Sequence, residues 1–205
     1  MKFFGIVLFS AVALAMPSVI EPRQGVTEPR FLAVNSSSGS GCQPGTFSVE
    51  PLNPTNRFKI TFDPRAFNAS IGGNGANSKS CTLRINMLFP VGCRTITMRG
   101  RYLGFGFFPT TANGRLVNNY AMTGGRISES NPPFEFPGSI FSQPSAAFDR
   151  SDVDIAIQVN ARDDTQTLVR FEPGINLILA PANSPTPGFL QLESVEYRFN
   201  TAARC

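Results

Sequence analysis

The stretch at residues 81–103, CTLRINMLFPVGCRTITMRGRYL, decides the fold class of this chain. Leu83, Ile85 and Met87 alternate with Arg84 and Asn86. A period of two places successive side chains on opposite faces of a strand, so this pattern predicts a strand with one core face and one solvent face. A second alternating run begins at residue 94, after Pro-Val-Gly. We therefore expect two strands, residues 82–89 and 94–103, joined as a hairpin.

The same period dominates the rest of the chain, and long helical periodicity is absent. Eighteen glycines and seventeen prolines separate the short alternating runs. This punctuation predicts an all-β, antiparallel β-sandwich, jelly-roll-like, with long Pro- and Gly-rich loops. A short helix is expected near residues 144–149. The predicted strands are residues 46–50, 57–62, 82–89, 94–108, 116–122, 153–160, 166–171, 175–179 and 189–199.

The N-terminal residues have the composition of a secretory signal peptide. MKFFGIVLFSAVALAMP contains one basic residue, an apolar run and an Ala-Leu-Ala site, which predicts cleavage after Ala15. The apolar run is too short to span a bilayer, so no transmembrane segment is expected. We expect residues 1–15 to be the signal peptide, 16–41 a flexible leader or propeptide, and 42–205 a single domain.

The four cysteines, Cys42, Cys81, Cys93 and Cys205, are interpreted as two structural disulfides of a secreted protein. The chain has no histidine and no CxxC spacing, which disfavours zinc and redox sites and excludes histidine-dependent catalysis. In the predicted hairpin, Cys81 and Cys93 lie farther apart than the roughly 7 Å that a disulfide allows between Cα atoms. Each is therefore expected to bond to Cys42 or Cys205.

Two Asn-x-Ser sequons, at Asn35 and Asn68, are consistent with a glycoprotein of the secretory pathway.

Basic residues are concentrated in the first half of the predicted domain. Residues 64–128 contain eight basic residues and no acidic one. On the predicted hairpin, Arg84, Arg99 and Arg101 could share one exposed sheet face. Arginine suits bidentate contacts with carboxylates and phosphates, so this face is a candidate site for an acidic glycan or another anionic surface. The favoured interpretation is that outward acids, such as Asp152, Asp154, Glu193 or Glu196, neutralise this face, because pairs of opposite charge on neighbouring strands are common in sheets.

Three aspartates in FDRSDVDI, Asp149, Asp152 and Asp154, form a weak candidate calcium site. Calcium takes several oxygen ligands, and closely spaced aspartates supply them. The spacing does not match an EF-hand loop. No other cofactor is expected.

Two further features of the sequence bear on carbohydrate chemistry. Glycoside hydrolysis needs two carboxylates across a cleft, and the sequence places no such pair. The segment GFGFFP at 104–109 alternates glycine with Phe105 and Phe107. It is interpreted as a core strand with space-relieving glycines, with an exposed aromatic ledge as the alternative.

Several segments, in order, resemble the fungal secreted proteins grouped as domain of unknown function 4360. They are CQPGTFSV at 42–49, FDPRAFNASIGGNG at 62–75, SCTLRINMLFPVG at 80–92, RGRYLG at 99–104 and YRFNTAARC at 197–205. The resemblance implies a fungal, secreted, disulfide-linked β protein and implies no established activity. Tyr197 and Phe199 stand where the family often has tryptophan, and Cys93 follows the Pro-Val-Gly turn.

Together these observations favour a secreted, effector-like or cell-wall-associated binding protein that is not an enzyme. The expected partner is a cell-wall or host polysaccharide or another anionic surface. Nucleic acid is not expected, because the net charge is only +4 and the chain is expected to be secreted. The alternatives are a polysaccharide-active enzyme with paired carboxylates and a structural wall or coat component.

Overall fold

The computed structural model describes residues 28–52, 56–73, 75–127, 131–142, 145–160 and 165–201. The signal-peptide prediction and Cys205 lie outside these residues. Thirteen strands and one short helix are formed in this part of the chain. They are β1 (Arg30–Ser38), β2 (Phe47–Leu52), β3 (Arg57–Phe62), β4 (Asn68–Ile71), β5 (Ser78–Phe89), β6 (Thr95–Phe107), β7 (Asn113–Thr123), β8 (Gly125–Ile127), β9 (Phe134–Pro137), α1 (Gly138–Phe141), β10 (Ala146–Ser151), β11 (Ile155–Val159), β12 (Thr167–Ala180) and β13 (Gly188–Thr201).

The strands form two antiparallel sheets that enclose one core, which confirms the predicted β-sandwich. The smaller sheet has the order β1-β5-β12-β7-β9. The larger sheet has the order β2-β3-β13-β6-β11-β8, with β10 also paired to β6 and β4 to β13. No helix among the described residues is long and apolar enough to cross a membrane.

The core is built from the inward residues of the alternating patterns. Leu83, Ile85 and Met87 of β5 are buried, as are Ile96 and Met98 of β6. Each buried aliphatic side chain contributes about 1.5–3 kcal/mol relative to its exposed state. The assignment of these side chains to the core is therefore confirmed.

The predicted hairpin between residues 82–89 and 94–103 is wrong. The first run is β5 of the smaller sheet and the second is β6 of the larger sheet, so the Pro-Val-Gly segment carries the chain from one sheet to the other. A Pro-Gly turn reverses the chain in either arrangement, and local sequence does not distinguish them. Both strands still direct their apolar residues inward, because the core lies between the sheets.

The disulfide prediction is confirmed for one pair. Cys42 and Cys81 are bonded to each other, with their Cα atoms 5.2 Å apart. Cys93 is also disulfide-bonded, and its partner is not among the described residues. The conclusion that Cys81 does not bond to Cys93 is therefore correct, although the hairpin from which it was derived does not exist.

The segment expected as a flexible leader or propeptide, residues 16–41, contains a strand. Arg30–Ser38 is strand β1 and pairs with β5 at the edge of the smaller sheet. Its Ser-rich sequence has a weak intrinsic strand preference, but β5 provides backbone hydrogen bonds, and Phe31 and Val34 pack against the core.

Three other local predictions differ from the structure. Residues 166–171 and 175–179, predicted as two strands, belong to the continuous β12. Its pairing with β5 is interrupted between Phe171 and Gly174, which accommodates Pro173, a residue without an N–H to donate. The expected helix near 144–149 is instead β10, and the only helix of the described chain is α1.

Candidate functional site

The outer face of the larger sheet presents a row of three arginines. Arg198 of β13 lies directly opposite Arg57 of β3 on one side and Arg99 of β6 on the other. Like charges placed directly opposite one another are destabilising in a sheet. Without neighbouring acids, the row would therefore destabilise the sheet.

The flanking arginines of this row are paired with acids. Arg57 contacts Glu196 at 3.1 Å, and Arg99 contacts Asp154 at 2.9 Å. The central residue, Arg198, donates a hydrogen bond to the side-chain oxygen of Asn200 at 3.0 Å. Among the described residues no carboxylate pairs with Arg198.

Arg101 extends the row along β6. Its guanidinium binds both carboxylate oxygens of Asp149, with Nε to Oδ1 at 2.9 Å. The hydrogen bond to Asp149 raises the pKa of Arg101, and the hydrogen bond from Arg101 lowers the pKa of Asp149. Both groups are charged at any physiological pH.

These side chains surround a pocket of about 260 Å³ in the outer face, which we call the arginine pocket. It contains four guanidinium groups and one carboxylate. The lining residues are Arg57, Arg99, Arg101, Ser151, Glu196 and Arg198.

An apolar surface continues from the arginine pocket along β6. Leu103, Phe105 and Phe107 are half-buried, whereas Gly104 and Gly106 are buried between them. A Cβ at Gly104 would lie 2.5 Å from the ring of Phe148, so these glycines face the core. The glycines are on the inner face of the strand, as the core-strand interpretation predicted. Phe105 and Phe107 instead lie on the outer face, as in the alternative interpretation, and Phe105 contacts Phe189 with ring centroids 5.6 Å apart.

The three arginines singled out from the sequence do not share one face. Arg84 lies on the smaller sheet, where it contacts Glu172 at 3.5 Å. Arg99 and Arg101 lie together on the larger sheet. Sequence analysis missed Arg57 and Arg198, which lie outward on strands it had predicted, because only the pairing register brings them beside Arg99.

Behind this face, a polar cluster is buried between the two sheets. Asp152 is only 4% exposed. Its Oδ2 accepts hydrogen bonds from Tyr102 of β6, at 3.0 Å, and from Tyr120 of β7. The two tyrosine hydroxyls also contact each other. Asn118 donates to Oδ1 of Asp152 at 3.3 Å.

Burial governs the pKa values in this cluster. It raises the pKa of Asp152 to about 6, although hydrogen bonds from both tyrosines act in the opposite direction. Burial also raises the pKa of Tyr102 and Tyr120 above the usual tyrosine range. The tyrosines are therefore neutral hydrogen-bond donors at all relevant pH values, and Asp152 is the group that titrates.

The three candidate calcium ligands do not converge. Asp149 and Asp154 point outward to Arg101 and Arg99, whereas Asp152 points inward to the tyrosines. No group of three or more metal-ligating side chains occurs in the part of the chain that the structure describes. Asp152 also does not serve as an outward acid on the basic face, which corrects that expectation.

The two sequons differ in exposure. Asn35 is exposed on β1, where its amide exchanges hydrogen bonds with Asn86. Asn68 is half-buried on β4, and its side-chain oxygen has no hydrogen-bond partner among the described residues.

Comparison with known proteins identifies the family. The model described as "Domain of unknown function (DUF4360)" matches residues 31–204. The match begins within β1, in agreement with the structural start of the sandwich. No curated protein matches this sequence. The chain belongs to the DUF4360 family.

Proposed function

We propose that this chain is a secreted, fungal-type glycoprotein that binds an acidic polysaccharide of the cell wall or of a host surface, without catalysis. The binding surface is the arginine pocket together with the adjoining apolar surface of β6. The observation that carries the proposal is the opposed row of Arg57, Arg198 and Arg99, whose central member has no acidic partner among the described residues.

The charge and geometry of the pocket suit a carboxylate-bearing ligand. Arginine presents a planar fork that matches a carboxylate with two parallel hydrogen bonds. Arg198 is exposed, and a uronate carboxylate placed on it would also relieve the repulsion between the three opposed guanidinium groups.

The adjoining surface suits the apolar faces of sugar rings. From Arg99 onward, the outward side chains of β6 are Arg99, Arg101, Leu103, Phe105 and Phe107. The eight residue steps from Arg99 to Phe107 span about 26 Å. An extended polysaccharide lying along β6 would meet guanidinium groups at one end and aromatic rings at the other, where ring stacking contributes binding energy.

Three features support an extracellular location. They are the signal-peptide composition of residues 1–15, the Cys42–Cys81 disulfide and the exposed sequon at Asn35. Disulfides of this kind persist in oxidising compartments.

Calorimetric titration of the secreted chain with oligogalacturonate, and with a neutral oligosaccharide of equal length, tests the proposal. We expect binding of the acidic oligomer only, with affinity falling as salt is raised. Arg198→Ala should weaken binding about tenfold, as for the loss of a hydrogen bond between charged groups.

Arg84→Ala is the matched control, since it removes an exposed arginine from the opposite sheet. It should leave oligogalacturonate affinity unchanged. The proposal is refuted if the acidic oligomer does not bind, or if Arg84→Ala weakens binding as much as Arg198→Ala does.

A further inference from the structure

The buried cluster contains one more oxygen contact than it has hydroxyl protons. Asp152 Oδ2, Tyr102 Oη and Tyr120 Oη form a triangle in which each pair is within hydrogen-bond distance. When Asp152 is ionised, the two tyrosines supply two protons for three contacts. One pair of oxygens then faces each other without a proton, which is repulsive in a buried site.

A third proton completes the triangle. With a neutral carboxylic acid at Asp152, each of the three oxygens can donate one hydrogen bond and accept one, forming a closed ring. The arrangement of the oxygens therefore matches the protonated state of Asp152 better than the ionised state.

In the part of the chain that the structure describes, no cation compensates an ionised Asp152. The groups facing its carboxyl are Tyr102 of β6, Tyr120 and Asn118 of β7, and Tyr197 of β13. Among the described residues no arginine or lysine is a cause of its pKa shift. A buried carboxylate that lacks a cationic partner is stabilised by taking up a proton.

The cluster is connected directly to the arginine pocket. The backbone N–H of Asp152 donates to the carbonyl of Gly100 at 2.8 Å, between Arg99 and Arg101. The same short segment provides Asp149 and Asp154, which occupy the guanidinium groups of Arg101 and Arg99. We name residues 149–154 the aspartate segment.

We infer that Asp152, Tyr102 and Tyr120 form a proton-binding switch that sets how firmly the aspartate segment holds Arg99 and Arg101 of the arginine pocket. This inference rests on the proposed function for its effect on ligand binding, but the proton site itself does not. With the proton bound, the ring keeps the segment in place beside β6, and Asp149 and Asp154 compete with an external anion for the two arginines. Loss of the proton leaves an uncompensated buried charge, which loosens the segment and frees Arg99 and Arg101.

The switch operates in mildly acidic surroundings, because burial raises the pKa of Asp152 to about 6. The chain contains no histidine, so no other side chain has an ordinary pKa near 6. A change in ligand affinity between pH 5 and 7.5 would therefore report on Asp152.

Carbon-13 NMR of the Asp152 carboxyl in the wild-type chain tests the proton site directly. We expect a titration midpoint near pH 6 for Asp152, above the ordinary aspartate value of 3.8. A midpoint for Asp152 at or below 3.8 would overturn the inference.

Oligogalacturonate titration at pH 5 and 7.5 tests the coupling. We expect the wild-type affinity to rise about fivefold at the higher pH, a modest allosteric coupling. Asp152→Asn should remove this pH dependence. Asp154→Asn should raise the affinity at both pH values and retain the dependence.

The two failures are distinguishable. An NMR midpoint near 6 with no oligogalacturonate binding at either pH would refute the proposed function and leave the proton site standing. Equal wild-type affinity at both pH values would refute the coupling alone.

Discussion

Two kinds of carboxylate lie within six residues of each other in this protein. Asp149 and Asp154 are on the surface, with side chains 49% and 54% exposed, and each is paired with an arginine. Asp152 is buried between the sheets and is bonded to tyrosine hydroxyls and an amide. Water and salt screen the surface pairs, whereas the buried group experiences a low dielectric. Similar residues in one segment therefore differ in what they contribute to stability, and the pKa values of Asp149 and Asp152 are shifted in opposite directions, the first lowered and the second raised.

The substitution Asp152→Ala should have the largest effect on stability. It removes the shared acceptor of Tyr102, Tyr120 and Asn118, and leaves buried donors without partners. We expect a loss of about 4 kcal/mol in the free energy of unfolding at pH 5. Urea denaturation with fluorescence or circular dichroism detection measures it.

Asp154→Ala is the control for this substitution, because it deletes an exposed aspartate two residues away. Its expected cost is below about 1 kcal/mol. If the two variants lose equal stability, the buried cluster has no special energetic role.

Asp152 and Asp149 should change the free energy of unfolding in opposite directions as the pH changes. The folded-state pKa of Asp152, about 6, lies above its ordinary value of 3.8. The folded protein therefore holds a proton that the unfolded chain has released, and this stabilisation is lost as pH rises through 6.

From pH 5 to 7.5 the resulting loss is about 1.4 kcal/mol, and Asp152→Asn should abolish it. Asp149 acts in the opposite direction. Its pKa is lowered in the folded protein, so its contribution to the free energy of unfolding is lost only when the pH falls into the acidic range. Urea denaturation across this pH series tests the assignment. Stability that rises between pH 5 and 7.5 would contradict it.

The outward side chains could be predicted from the sequence better than the buried cluster. Alternation on a single strand is enough to place Arg99 and Arg101 outward and Met98 inward. The position of Asp152 depends on Tyr102 from the larger sheet and Tyr120 from the smaller sheet, which meet only when the two sheets pack. The local sequence around Asp152 resembles that around its exposed neighbours, Asp149 and Asp154. The sequence pattern therefore predicted that Asp152 is also an outward acid or a calcium ligand.

Pairing between strands was likewise beyond the sequence pattern. The alternation at 82–103 is satisfied by a hairpin or by two strands in facing sheets, because both bury the same apolar side chains. Because the two strands are in facing sheets, Arg84 lies on the opposite side of the molecule from Arg99. The separate pairing of β13 with β6 places Arg198 beside Arg99. The sequence could thus predict that an exposed sheet face is rich in arginine. It could not predict which arginines share that face, because this depends on the pairing register of strands that are distant in the sequence.

The smallest expected effect concerns the Arg101–Asp149 pair. A double-mutant cycle with Arg101→Ala and Asp149→Ala measures the coupling energy of the pair. We expect a coupling energy of about 0.5 kcal/mol that falls in high salt, because both side chains are about half exposed. Bidentate geometry raises the value within this range but does not remove the screening. A coupling energy above about 2 kcal/mol would show that the surface pair is as strongly coupled as a buried one, and the contrast with Asp152 would then rest on pKa alone.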